Sequence, residues 1–226
     1  MTGIKFMIKF SKKGFTLIEL IVAMAVFLFI VGTAIGIFIS IVQHQRVILS
    51  EQELLNQTSF VVERMSKALR VAKKDLTGAC LGSGYIGHNY LLTRPNIFTG
   101  TYNGIKFINQ SDNDACQEFY LYTDAASGSG GNNIGDPTTV LKELKNSTDD
   151  SQAVALTSDK LMINYLRFGI NGDDGLTTGS ITDDNGNNHI QSRITIFLNI
   201  QTKGGNNPSI EKIQTTISQR DLNVPQ

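Results

Sequence analysis

One carboxylate, Glu19, stands alone among charges in an apolar run that extends over residues 15–42. Lys12, Lys13, Gly14 and Phe15 lie immediately ahead of it. An ionised carboxylate deep in a bilayer costs ~2.5–3.5 kcal/mol unless it is paired, so a carboxylate in this place asks for a cation. A carboxylate near the end of such a run can also rest at the membrane interface, where it is cheap. The residues alone leave both uses open. The other chemically capable groups are fewer. Asp173 and Asp174 in "NGDDG", with Asp183, Asp184 and Asn185 in "DDNGNN", offer oxygen ligands suited to Ca²⁺. Neither string has EF-hand spacing, and Asp, Asn and Gly favour turns in any case. Calcium is thus the one candidate cofactor, and otherwise none is expected. The three histidines, His44, His88 and His189, are scattered, and there is no G-x-S-x-G, H-E-x-x-H or P-loop. Nothing here points to an enzyme.

Charge narrows the classes further. The chain carries 20 basic and 20 acidic residues. Lys5, Lys9, Lys12 and Lys13 are all in the first 14 residues, and without that stretch the balance is 16 basic to 20 acidic, net −4. General nucleic-acid binding rests on neutralising phosphates, so no nucleic-acid partner is expected. The clustered Arg64, Lys67, Arg70, Lys73 and Lys74 are the one basic candidate, and a solvated helix face explains them more simply.

The elements that must position Glu19 follow from hydropathy. A bilayer core needs about 20 helical residues, so residues 15–42 can span one. The run is too long for a secretory signal peptide, and no A-x-A-like site follows it. Lysines precede it and only Arg46 lies shortly beyond, which puts the N-terminus in the cytoplasm and the rest outside. From Val47 to Leu76, apolar residues at Val47, Leu54, Val61, Met65, Leu69, Ala72 and Leu76 make a stripe of period near 3.6. The helix is therefore expected to continue to about residue 76 and stop at Gly78. Its stripe should be buried, with Glu63, Lys67 and Lys74 exposed. Ile105–Asn109, Gln117–Thr123, Leu161–Ile170, Arg193–Gln201 and Ile210–Ser218 read as strands separated by Gly/Asn/Asp turns. The stretch 138–156 reads equally as helix or strand. The fold class is α+β: a long N-terminal helix packed on an antiparallel sheet.

The string "KKGFTLIELIVAMAV" resembles the N-terminal signal of type IV pilins and type II secretion pseudopilins. The resemblance implies a leader, residues 1–14, with Lys12 and Lys13 as its basic end. It implies that a prepilin peptidase cuts between Gly14 and Phe15, that the new amine on Phe15 is N-methylated, and that Glu19 acts in assembly by pairing with a neighbour's amine. A leader counted from Met7 fits the commoner family length better than one from Met1. Major pilins often carry a helix-kinking proline in this region; here Gly32 and Gly36 form a GxxxG pattern instead. The organisation implied is leader 1–14, membrane or filament-core helix 15–42, amphipathic helix 43–76 and extracytoplasmic β-rich domain 77–226.

The C-terminal half, ending in "KIQTTISQRDLN", is similar to J-type minor pseudopilins and W-type minor pilins. That likeness implies a minor subunit that initiates or caps a pilus or pseudopilus. The alternatives are a tip-located binding module that contacts surfaces, DNA or secreted cargo, and an ordinary single-pass anchored extracytoplasmic domain. The partners implied are other pilin or pseudopilin subunits, the prepilin peptidase, the inner-membrane assembly platform and the membrane itself. Type II secretion and type IV pilus systems share the signal, so the choice between them stays open. Cys80 and Cys116, the only cysteines, both fall on the external side, where a disulfide is favoured over two separate buried thiols.

Overall fold

The computed structural model describes residues 14–96, 99–123, 139–172, 191–203 and 208–220. They fall into two compact units, 1–49 and 50–226. One helix, α1 (Leu17–Arg70), contributes to both.

In the first unit α1 is apolar on every side. All residues from Leu17 to Ile30 are exposed, and the segment is long and apolar enough to cross a membrane. No proline interrupts it, and it stays helical through Gly32 and Gly36, where an added Cβ would meet nothing. Nothing within the chain demands glycine at those two positions.

The second unit opens with the remainder of α1. Here the helix becomes amphipathic and buries Leu54, Thr58, Val61, Met65, Ala68 and Leu69. Nine strands are formed among the described residues: β1 (Ala72–Lys73), β2 (Tyr90–Asn96), β3 (Thr101–Asn109), β4 (Ala115–Thr123), β5 (Thr139–Lys145), β6 (Val154–Ala155), β7 (Leu161–Asn171), β8 (Arg193–Thr202) and β9 (Ile210–Ser218). They make two antiparallel sheets rather than one. The first follows the order β1-β3-β4-β5-β6, with β2 also on β3; the second is β7-β8-β9. A single hydrophobic core joins Val61, Met65 and Leu69 of α1 to Ile105, Phe107 and Phe119 of the first sheet and to Ile163, Leu166, Ile196 and Leu198 of the second. Burying each such side chain stabilises the fold by ~1.5–3 kcal/mol.

Much of the expected patterning is present. Ile194, Ile196, Leu198 and Ile200 share the buried face of β8, and the ambiguous 138–156 stretch supplies two strands, β5 and β6. Glu63 and Lys67 are exposed, whereas Lys74 is half-buried. The stripe is shorter than its sequence period suggests, for Val47 and Leu76 are 53% and 66% exposed.

The helix also ends earlier than expected, at Arg70. The carbonyls at and just after its end find partners in other segments: Arg220 N donates to Arg70 O, Gln110 N to Val71 O, and Gln219 Nε2 to Ala72 O. These bonds satisfy acceptors that a helix end leaves open, and Ala72–Lys73 then pairs with Ile108–Asn109 of β3. Gly78 is not the helix stop; it occupies a later turn at φ 73, where a Cβ would press on the backbone of Gly82 and Ser83. Strand β2 carried no clear signal because Pro95 sits inside it and Arg94 takes φ 55. An edge position makes the proline tolerable.

Candidate functional site

The start of α1 is built by Thr16 and Glu19. Thr16 precedes the first helical residue, and its backbone N–H and its hydroxyl both donate to Glu19 Oε2 at 2.9 Å. Glu19 N donates in return to Thr16 Oγ1 at 3.4 Å. This reciprocal pair is a capping box, which satisfies helix N–H groups that have no partner one turn back. Glu19 therefore has a local use that was not among the two read from the sequence. The signal was available, since Thr-x-x-Glu ahead of an apolar run is the sequence form of the box. Gly14 and Phe15 precede it outside any helix or strand and are exposed, Phe15 being 82% exposed. Such a junction can enter a peptidase without unwinding α1. Lys12 and Lys13 lie outside the described residues.

Residues 9–35 match the family model of the prokaryotic N-terminal methylation motif. That match supports the resemblance of this N-terminal stretch to the signal of type IV pilins and pseudopilins. The match ends within α1, so the likeness of the C-terminal half to J-type and W-type minor subunits is not supported by it. No curated protein and no solved structure matches the chain significantly. A pilin-type signal, a helix able to cross a membrane and an α+β domain together fit a subunit that assembles with others of its kind.

The second unit has other groups worth placing. Cys80 and Cys116 form a disulfide that ties the loop after β1 to β4. In that loop Asp75 is fully buried. Its carboxylate accepts from the backbone N–H groups of Thr77, Gly78, Cys80 and Leu81 at 2.7–3.1 Å. Burial pushes its pKa up, but the four N–H donors outweigh that and hold it below the usual carboxylate value.

The basic cluster on the C-terminal part of α1 is largely neutralised. Arg64 grips the buried Glu143 of β5 at 3.0 Å, Lys67 pairs with Glu63 at 2.7 Å, and Lys73 with Asp114 at 2.8 Å. Arg94 forms a further cluster, bridging Glu118 and Asp150 above the Tyr120 ring. The buried Tyr120 hydroxyl lies near the Asp150 carboxylate but outside hydrogen-bond geometry. Burial, together with that carboxylate, pushes its pKa up to about 12.

The calcium candidates Asp173, Asp174, Asp183 and Asp184 lie outside the described residues. Among the described residues no group of three or more His, Cys, Asp or Glu side chains is placed to hold a metal. His44 is exposed on α1, His88 packs edge-on against Tyr85 at 5.8 Å, and His189 lies outside the described residues.

Proposed function

We propose that this chain is a minor pilin or pseudopilin that acts at the initiating end or tip of a filament, with its N-terminus on the cytoplasmic side before assembly. The observation that carries the subunit reading is the Thr16–Glu19 box directly behind the Gly14–Phe15 junction, inside a matched methylation motif, while the minor, tip-proximal role rests on the sequence likeness of the C-terminal half. A cut after Gly14 leaves the box whole, because both its members lie C-terminal to the cut. It also creates a positive amine on Phe15, to be N-methylated. Thr16 occupies one carboxylate oxygen of Glu19, and the other remains to accept a neighbour's amine. A buried ion pair of this kind is weak as a stabiliser and well suited to fixing register. The system served, type II secretion or type IV pilus, follows from the genes beside this one.

Processing is tested by N-terminal sequencing of the protein from assembled filaments. The expected mature end is Phe15; a retained leader rejects the reading. The role of Glu19 is tested with two substitutions. Glu19→Val removes both cap and charge, and should leave cleavage and the folded domain intact while incorporation is lost. Glu19→Gln keeps a capping-box acceptor but removes the charge, so it separates the two uses. Failure of Glu19→Gln in crosslinking to filament subunits supports the amine pairing. Normal incorporation of Glu19→Gln would reduce Glu19 to a helix cap.

A further inference from the structure

The outward positions of the β7-β8-β9 sheet carry charge of one sign. Arg167, Arg193 and Lys212 are exposed there, and no acid stands at an outward position of the three strands. The one acid of β9, Glu211, shares the inward parity of Ile213 and Ile217. None of the three cations forms an ion pair with a described residue, unlike Arg64, Lys67 and Lys73. This happens in a chain that is net acidic beyond its first 14 residues. Aromatic rings share the same face. Phe197 is 37% exposed and lies directly across from Arg167, whose guanidinium is 5.2 Å from the Tyr165 ring centre. Tyr102, at the start of β3, closes a cavity of about 400 Å³ with Tyr165, Arg167 and Phe197. Gln201 and Gln214 add amide donors and acceptors to the outward set.

We propose that this sheet face binds single-stranded nucleic acid, with Phe197, Tyr165 and Tyr102 as stacking surfaces and Arg167, Arg193 and Lys212 as phosphate contacts. Unpaired bases expose flat faces that stack on aromatic side chains, and the backbone supplies the negative charge that these three exposed cations attract. A duplex keeps its base faces stacked on one another, so exposed rings on this sheet gain nothing from it. The inference rests on the sheet alone and does not require the filament reading. It departs from the sequence expectation of no nucleic-acid partner, which rested on the net charge of −4 beyond residue 14 and on the solvated basic cluster of Arg64, Lys67, Arg70, Lys73 and Lys74.

The test is fluorescence anisotropy of a labelled 12-nucleotide oligo(dT) with the full chain in detergent micelles. A duplex of equal length and the acidic polysaccharide alginate serve as competitors. Binding to oligo(dT) is expected, and Phe197→Ala and Tyr165→Ala should each weaken it about tenfold through lost stacking. Arg167→Gln should lower the slope of log affinity against log salt by about 0.7. Lys67→Ala, on α1, should change neither. All four substitutions are at exposed or half-exposed positions, and an unchanged thermal melt verifies that each variant is folded. The proposal is overturned by absence of oligo(dT) binding or by equal displacement with duplex or alginate. It is equally overturned by sheet-face variants that bind like the unaltered chain.

Discussion

Asp75 shows how one buried side chain can hold a whole turn. Its two oxygens satisfy four backbone N–H groups, and each such group costs ~1–3 kcal/mol when buried without a partner. Asp75→Ala is therefore expected to destabilise the domain by about 2–4 kcal/mol, read from urea unfolding; a loss below about 1 kcal/mol would show that water replaces the carboxylate. The pH dependence has a fixed sign. The folded pKa is depressed, so the stabilisation is complete above the ordinary value near 3.8 and is lost as pH falls below it through the folded pKa. Asp75→Asn should flatten that acid limb of the stability profile. Nothing in "KKDLTGACLG" marks this aspartate as buried, because Asp before Thr and Gly reads as an ordinary turn residue. Glu19 was conspicuous for the opposite reason: a lone charge in an apolar run cannot be missed. Its partner Thr16 is less conspicuous, because a threonine ahead of an apolar run is common and the box shows only when Thr16 and Glu19 are read together.

At the scale of elements, the strands with β-branched and aromatic alternation were legible, and so was the buried stripe of Val61, Met65 and Leu69. The end of α1 was not. Local periodicity continues past Arg70, and what stops the helix is a set of hydrogen bonds from Gln110, Gln219 and Arg220, residues distant in sequence. Gln219 is 2% exposed and also donates to Asn89 Oδ1. Gln219→Ala should cost about 1–3 kcal/mol by leaving buried carbonyls unpaired. Amide exchange at Ala72 and Lys73 should quicken with it; unchanged exchange there would mean that Gln219 does not hold the junction. The division into two sheets was likewise hidden, because strand patterning fixes which face is buried and not which strands are neighbours. The disulfide was legible from compartment alone. The Cys80–Cys116 bridge closes a separation of 36 residues, so Cys80→Ser with Cys116→Ser should lower stability by about 3–4 kcal/mol in the chain-entropy model. A double variant as stable as the parent would place the stabilisation elsewhere in the loop.

For the molecule as a whole, the distribution of burial separates two tasks. Among the described residues, the buried hydrophobic ones begin at Leu54, and those of the first unit contribute none. Leu54, Val61, Met65 and Leu69 supply the helical side of the core, and all four lie after Ser50. The second unit thus holds all the described core side chains, together with the disulfide and the Arg64–Glu143 pair. A chain beginning at Ser50 should accordingly be soluble without detergent and unfold in one cooperative transition. Its melting temperature should fall within a few degrees of that of the full chain in micelles. Some fraying of α1 near its new end is expected, since a helix loses its first-turn partners there, but Val61 and Met65 sit several turns inside. A near-UV circular dichroism spectrum lacking the fixed signal of packed Tyr and Phe, or a broad non-cooperative melt, would show that the first unit supports the core after all. The apolar half of α1 would then serve the fold as well as the membrane, and substitutions such as Glu19→Val could not be read as assembly effects alone.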